Sequence, residues 1–130
     1  MNQRARLRMF LFALLFLMAC PSFGTTSVLE LQGIITDSQC AFNVHSHNGS
    51  HDDMIKTRFG GSSPKECTLR CVKEMGGSYV LAVEDHIYRL DSQIQAAKFA
   101  GEKVKVTGTL VDAKTNTLHV RSIVVIQAPK

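Results

Sequence analysis

Three cysteines in the middle of the chain, Cys40, Cys67 and Cys71, are the residues best suited to chemistry. A thiolate can act as a nucleophile, form half of a disulfide, or bind a soft metal ion. Cys67 and Cys71 are four positions apart, so a helix would place both on one face. The cysteines therefore predict a disulfide, a metal site or a reactive thiol.

A polar segment around the first cysteine supplies further metal-binding groups. The stretch DSQCAFNVHSHNGSHDD runs from Asp37 to Asp53 and holds three histidines. Three thiolates and one imidazole form a tetrahedral donor set that suits Zn²⁺ or a soft copper ion. His45 is the first candidate for the fourth ligand, and His47 and His51 are alternatives. Asp37 could orient a ligating imidazole without binding the ion itself.

A disulfide is the competing interpretation of the same cysteines. Cys40 could pair with Cys67 or with Cys71, which would close a loop of about thirty residues and add about 2 to 4 kcal/mol of stability. One thiol would then remain free. Cys67 would lie in the first turn of a helix, where the helix dipole favours the thiolate, so a thiol or redox activity is a third interpretation.

The N-terminus is predicted to be a signal peptide over residues 1–24. Three arginines precede an apolar run over residues 9–19, which is too short to span a membrane. Ser22 and Gly24 suit ordinary cleavage before Thr25. The sequence LMAC at Leu17 to Cys20 instead resembles a lipoprotein box, in which Cys20 would be lipidated. The protein is therefore expected to be exported, to the periplasm or beyond, with a membrane anchor only if Cys20 carries lipid.

Removal of that segment changes the charge of the protein. The 15 basic residues fall to 12, against 11 acidic ones, because three arginines leave with the signal peptide. A net charge near +1 provides no field for a phosphate backbone, so nucleic-acid binding is not expected. The remaining residues, 25–130, are enough for one domain.

The rest of the chain is predicted to be mainly β-structure. Apolar and polar residues alternate in EKVKVTGTLV, and β-branched residues dominate TLHVRSIVVI, with a polar hairpin turn between them. VLELQGIITD, SYVLAV and HIYRL supply three more strands. A short helix is expected within residues 91–101, capped by Asp91, with Ile94 and Ala97 on its apolar side.

A stronger helix signal lies in SSPKECTLRCVKEMGG. Ser63 is a good N-cap, Pro64 suits the first helical position, and Glu66 completes a capping box. The predicted fold is therefore a five-stranded OB-like barrel with a long Cys/His insertion, loop plus helix, between strands 1 and 2, and a short helix between strands 3 and 4. Another small β-barrel or sandwich is the alternative.

The motifs GIITDSQC, ECTLRCVKEMGGSYVL, IYRL and AAKFAGEKVKVTGTL together resemble a family of small secreted bacterial proteins of unknown function. The resemblance covers nearly all of the chain after the signal peptide. It implies an OB-like barrel and a site made of Asp37, Cys40, His45, Cys67 and Cys71. It supplies no reaction.

The preferred functional hypothesis is a non-catalytic binding module of the cell envelope for a ligand or a metal, in which the Cys/His site would hold the metal. Its partner would be a ligand or an envelope protein. A thiol or redox protein using Cys67 or Cys71 is one alternative, and a disulfide-stapled structural or interaction barrel is another. No catalytic residue is assigned, because the sequence contains no recognisable triad, paired carboxylates or phosphate loop.

Overall fold

The computed structural model describes residues 27–44 and 46–126. The predicted signal peptide with Cys20, and also His45, lie outside the described residues. No helix in the described part of the chain is long and apolar enough to cross a membrane.

Five strands form one mixed sheet that closes into a ring in the order β1-β2-β3-β5-β4. The strands are β1 (Val28–Asp37), β2 (Tyr79–Val83), β3 (His86–Leu90), β4 (Lys103–Asp112) and β5 (Thr117–Val125). The helices are α1 (Ser38–Ala41), α2 (Asp52–Lys56), α3 (Pro64–Glu74) and α4 (Gln93–Ala97). Only β3 and β5 pair in parallel among the described strands. The prediction of a mainly β fold with five strands is confirmed.

β1 closes the ring because it pairs with two neighbours along its length. Residues 28–34 pair with β4, and residues 34–37 pair with β2. Gly33 lies where the strand passes from one partner to the other, and a Cβ atom there would lie 2.2 Å from the carbonyl oxygen of Ala82. The close approach of β1 to β2 at Gly33 therefore depends on the missing side chain.

The ring encloses the main hydrophobic core. All five strands contribute buried side chains to this core, among them Ile35, Leu81, Leu90, Val104 and Leu118. Leu69 and Val72 of α3 pack against this core from outside. A second, smaller core lies in the insertion between β1 and β2 and consists of Cys40, Met54, Cys67 and Cys71. The insertion is thus built on the ring but has an interior of its own.

The short helix α4 differs from the sequence prediction. Its N-cap is Ser92 rather than Asp91, and no side chain caps it. Asp91 instead accepts a hydrogen bond from the backbone N–H of Val120 and bonds the ring of His119. Ile94 is 85% exposed, and the buried residue of this helix is Ala96. The prediction of the cap is wrong because Asp91 binds β5, a long-range contact that local sequence does not reveal.

Gly33→Ala should destabilise the protein strongly, because the new methyl group would force β1 away from β2. We expect the free energy of unfolding, measured by urea titration, to fall by about 3 kcal/mol. Gly76→Ala is the control, since a Cβ atom there would meet no other segment within 4 Å and only the positive φ of 69° opposes a side chain. That variant should lose about 1 kcal/mol. An equal loss in the two variants would contradict the close approach at Gly33.

Candidate metal centre

The junction between β1 and α1 positions the first two residues of the site. Asp37 ends β1 in an extended conformation and is the N-cap of α1. The backbone N–H of Cys40 donates to Oδ1 of Asp37 at 2.8 Å. An aspartate that caps a helix in this way lies beside the third residue that follows it. The sequence Asp-Ser-Gln-Cys therefore places a carboxylate next to a thiol.

Helix α3 positions the other two cysteines. Ser63 is its N-cap and accepts a hydrogen bond from the backbone N–H of Glu66, and Pro64 occupies the first turn, as predicted. The reciprocal half of the capping box differs, because the Glu66 carboxylate accepts from the N–H of Ser62 rather than of Ser63. Cys67 and Cys71 lie one turn apart and are both completely buried.

These elements bring Asp37, Cys40, Cys67 and Cys71 into one group, hereafter the thiol–carboxylate cluster. One ligand atom from each residue lies within 4.8 Å of all the others. The Sγ atoms of Cys40 and Cys67 are 3.9 Å apart, and all three cysteines are free thiols. The backbone at Gly60 passes so close that a Cβ atom there would lie 2.7 Å from the Cys67 sulfur. The four side chains form a compact donor set without solvent exposure.

Burial strongly affects the acidity of the thiols. It raises the pKa of the Cys71 thiol to about 12, with the nearby Asp37 carboxylate as the second cause. The same two causes raise the pKa of Cys40 even further. Burial also raises the pKa of Cys67, which opposes the thiolate that the sequence predicted for the first turn of this helix. Without a cation the thiols therefore stay protonated at neutral pH.

The two carboxylate oxygens of Asp37 differ in their contacts. Its Oδ1 atom is used by the N–H of Cys40, whereas Oδ2 is buried and has no hydrogen-bond partner among residues 27–44 and 46–126. A buried carboxylate oxygen without a partner is costly, and a bound cation would satisfy it. The structure thus places Asp37 among the donors themselves, whereas the sequence predicted only an orienting role.

The histidines of the insertion have different positions. His45, predicted as the fourth ligand, lies outside the described residues. His47 is exposed, and its backbone N–H points to Asp53. His51 is mostly buried, and its Nδ1 atom lies 3.7 Å from Oδ2 of Asp37. Burial lowers the pKa of His51, although Asp37 acts in the opposite direction. The structure therefore brings His51, an alternative in the sequence prediction, to the edge of the cluster.

Comparison with known proteins gives one family match. A family described as "Protein of unknown function (DUF5818)" matches residues 71–125, which is 55 of the 130 residues. The matched segment begins at Cys71 and covers β2 to β5. This partial match fits a protein family of unknown function. Neither the curated proteins nor the solved structures give a significant match.

The thiol–carboxylate cluster has the donor atoms that could hold an ion, whereas its thiols are poorly placed to attack a substrate. Thiolate reactivity requires both deprotonation and access, and these cysteines have raised pKa values and no exposed surface. A soft or borderline divalent cation would replace the thiol protons and compensate for their loss of hydration.

The reduced, metal-free protein should react slowly with Ellman's reagent. At pH 8 we expect the three thiols to be modified at least about a hundredfold more slowly in native protein than in urea, because both burial and raised pKa values suppress the thiolate. Absorbance of the released thiol anion measures the rate. A rapid native phase that disappears in Cys67→Ser would contradict this prediction and favour a thiol or redox function.

Proposed function

We propose that this protein is an exported, non-catalytic binding module that holds one Zn²⁺ ion through Asp37, Cys40, Cys67 and Cys71. The ion would join the start of the insertion to α3 and fix the insertion on the ring. The signal-peptide pattern supports export, and the near-neutral charge after its removal supports a partner other than nucleic acid.

The spacing of the donor atoms carries this proposal. In a tetrahedral site with Zn–S bonds of about 2.3 Å, neighbouring sulfur atoms lie about 3.8 Å apart. The Cys40 and Cys67 sulfur atoms are 3.9 Å apart. The other donor atoms lie within 4.8 Å, which small side-chain shifts would bring to bonding distance. This spacing supports a four-coordinate zinc site in which the remaining donors move inward when the ion binds.

The mixture of donors favours zinc over copper. Cu⁺ prefers soft sulfur ligands, whereas Zn²⁺ accepts a carboxylate oxygen together with thiolates. Three thiolates, one carboxylate and Zn²⁺ carry a net charge of −2, the same as in a structural site of four cysteines. A complete set of four protein ligands also leaves no open position for a substrate, so we assign the ion a structural role.

The ring itself supports an OB-like assignment. The strand order β1-β2-β3-β5-β4, with α4 between β3 and β4, follows the plan of that fold. In such barrels the surface beside the first connection is a common place for a ligand. We therefore propose that the insertion, held by zinc, presents the surface that meets a ligand or an envelope partner.

One distance also favours a second function, a disulfide-stapled barrel. The 3.9 Å between the sulfur atoms of Cys40 and Cys67 is close enough for a bridge after a small movement. Loss of two hydrogens to an oxidant of the export compartment would form the bond and remove two of the three zinc thiolates. The two functions are therefore mutually exclusive in one molecule.

The native mass of protein exported with its own signal sequence should distinguish them. We expect one zinc per chain and three reduced thiols, because the ion occupies all of them. Cys71→Ser should lose the ion, whereas Met54→Leu, which changes the packing beside the thiols but no ligand, should retain it. A mass lower by two hydrogens without metal would instead support the disulfide.

Asp37→Asn tests whether the carboxylate is a ligand. The amide oxygen can still cap α1 by accepting from the N–H of Cys40, so the fold should be preserved, but the anionic donor is lost. We expect zinc affinity, measured by competition with a chelating dye, to fall by more than about 100-fold, beyond the roughly 10- to 100-fold loss typical of a group that only orients a ligand. Unchanged affinity would mean that the three thiolates bind the ion without Asp37.

A further inference from the structure

A surface cleft of about 340 Å³ is lined in part by His51, whose ring also lies 3.7 Å from Asp37 of the thiol–carboxylate cluster. It is lined by residues of β1, β2, α2, the start of α3 and the connecting loops, including Thr36, His51 and Asp52. None of its lining residues carries a permanent positive charge, and Asp52 contributes a carboxylate. The cleft is therefore more favourable to a cation than to an anion.

The His51 ring stands between the cleft and Asp37. Its side chain is 11% exposed, and its Nε2 atom is 2.9 Å from the Thr36 hydroxyl. Its Nδ1 atom faces Oδ2 of Asp37 at 3.7 Å, and neither of these two buried atoms has a hydrogen-bond partner in the described part of the chain. One edge of the ring is thus held by Thr36, and the other faces the cluster.

Neither neutral form of the ring satisfies these two atoms. With the proton on Nε2, a nitrogen lone pair faces a carboxylate oxygen. With the proton on Nδ1, the separation of 3.7 Å is too long for a hydrogen bond. A metal ion bonded to nitrogen and oxygen at about 2.0 to 2.2 Å would fit between them and satisfy both.

We propose that Asp37 Oδ2 and His51 Nδ1 form a second cation position, at the floor of the cleft, through which zinc reaches the buried thiols. This inference rests on the proposed zinc function. The three thiols have no exposed surface, so an ion must first bind to a group that the cleft exposes. His51 lines the cleft with a side chain that is 11% exposed, and a rotation of its ring would bring the buried Nδ1 atom to the entering ion. Asp37 is shared by both positions, so the ion can pass to the thiols without losing all its ligands.

The rate of metal uptake tests this route. Metal-free, reduced protein is mixed with Co²⁺ in a stopped-flow instrument, and the thiolate-to-cobalt absorption is followed. His51→Phe keeps an aromatic ring in the same place but removes both nitrogen donors. We expect this variant to load roughly tenfold more slowly than the unmodified protein and to reach the same final spectrum, with one ion per chain.

Two other variants test whether slow loading is due to the loss of the His51 nitrogen donors. His51→Gln retains a polar group for Thr36 but is a poor zinc ligand, so it should also load slowly, and it decides the question if His51→Phe fails to fold. His47→Phe is the matched control, because His47 lies on the same connection, is exposed and does not line the cleft. It should load at the unmodified rate.

The outcomes separate this inference from the proposed function. Uptake by both His51 variants at the unmodified rate, or faster, would overturn the route through His51 while leaving the zinc site intact. If the unmodified protein itself takes up neither Co²⁺ nor Zn²⁺, the zinc function fails, and the route fails with it.

Discussion

The complete burial of the Asp37 carboxylate is the constraint on which the rest of the insertion depends. A buried carboxylate is stable only where its oxygens are satisfied. One oxygen is satisfied by the first turn of α1, which fixes the direction in which the chain leaves β1. The other lies 3.7 Å from Nδ1 of His51 and has no hydrogen-bond partner among the described residues, so the folding of α1, α2 and α3 alone leaves half of this carboxylate unsatisfied.

The ring and the insertion both contribute to stability, and α3 connects them. Leu69 and Val72 pack on the core of the ring, while Cys67 and Cys71 face the smaller core. The smaller core contains few apolar atoms and consists mostly of sulfur-bearing side chains. Hydrophobic burial alone gives such a small group little stability, so a bound ion would contribute a large share.

Much of the fold can be predicted from the sequence, because its signals are local. Alternating residues mark β4, and Ser63 with Pro64 marks the start of α3. The three cysteines lie in the insertion, as their positions between the first two strand patterns indicate. What local sequence does not reveal are contacts between distant segments: Asp91 binds β5 instead of capping α4, and His51 returns to the end of β1.

The role of Asp37 in the cluster is likewise difficult to predict from local sequence. The sequence places Asp37 near Cys40, but whether its carboxylate binds an ion or only orients a ligand depends on the direction of its second oxygen. That direction is set by the N-cap bond to Cys40. The sequence Asp-Ser-Gln-Cys at the end of a strand does indicate a free carboxylate oxygen beside the cysteine, because an N-capping carboxylate uses one oxygen and leaves the other free.

The length of the insertion has a consequence for how the ring closes during folding. β1 is separated from β2 by residues 38–78, a loop of 41 residues, and it must return to pair with both β2 and β4. An ion that links Cys40 to Cys71 shortens the free part of that loop to about ten residues, and the entropic cost of closure then falls by about 1 kcal/mol. Pairing of β1 with β2 would become several-fold faster as a result. Metal supply would thus influence how quickly the newly made chain brings β1 and β2 together.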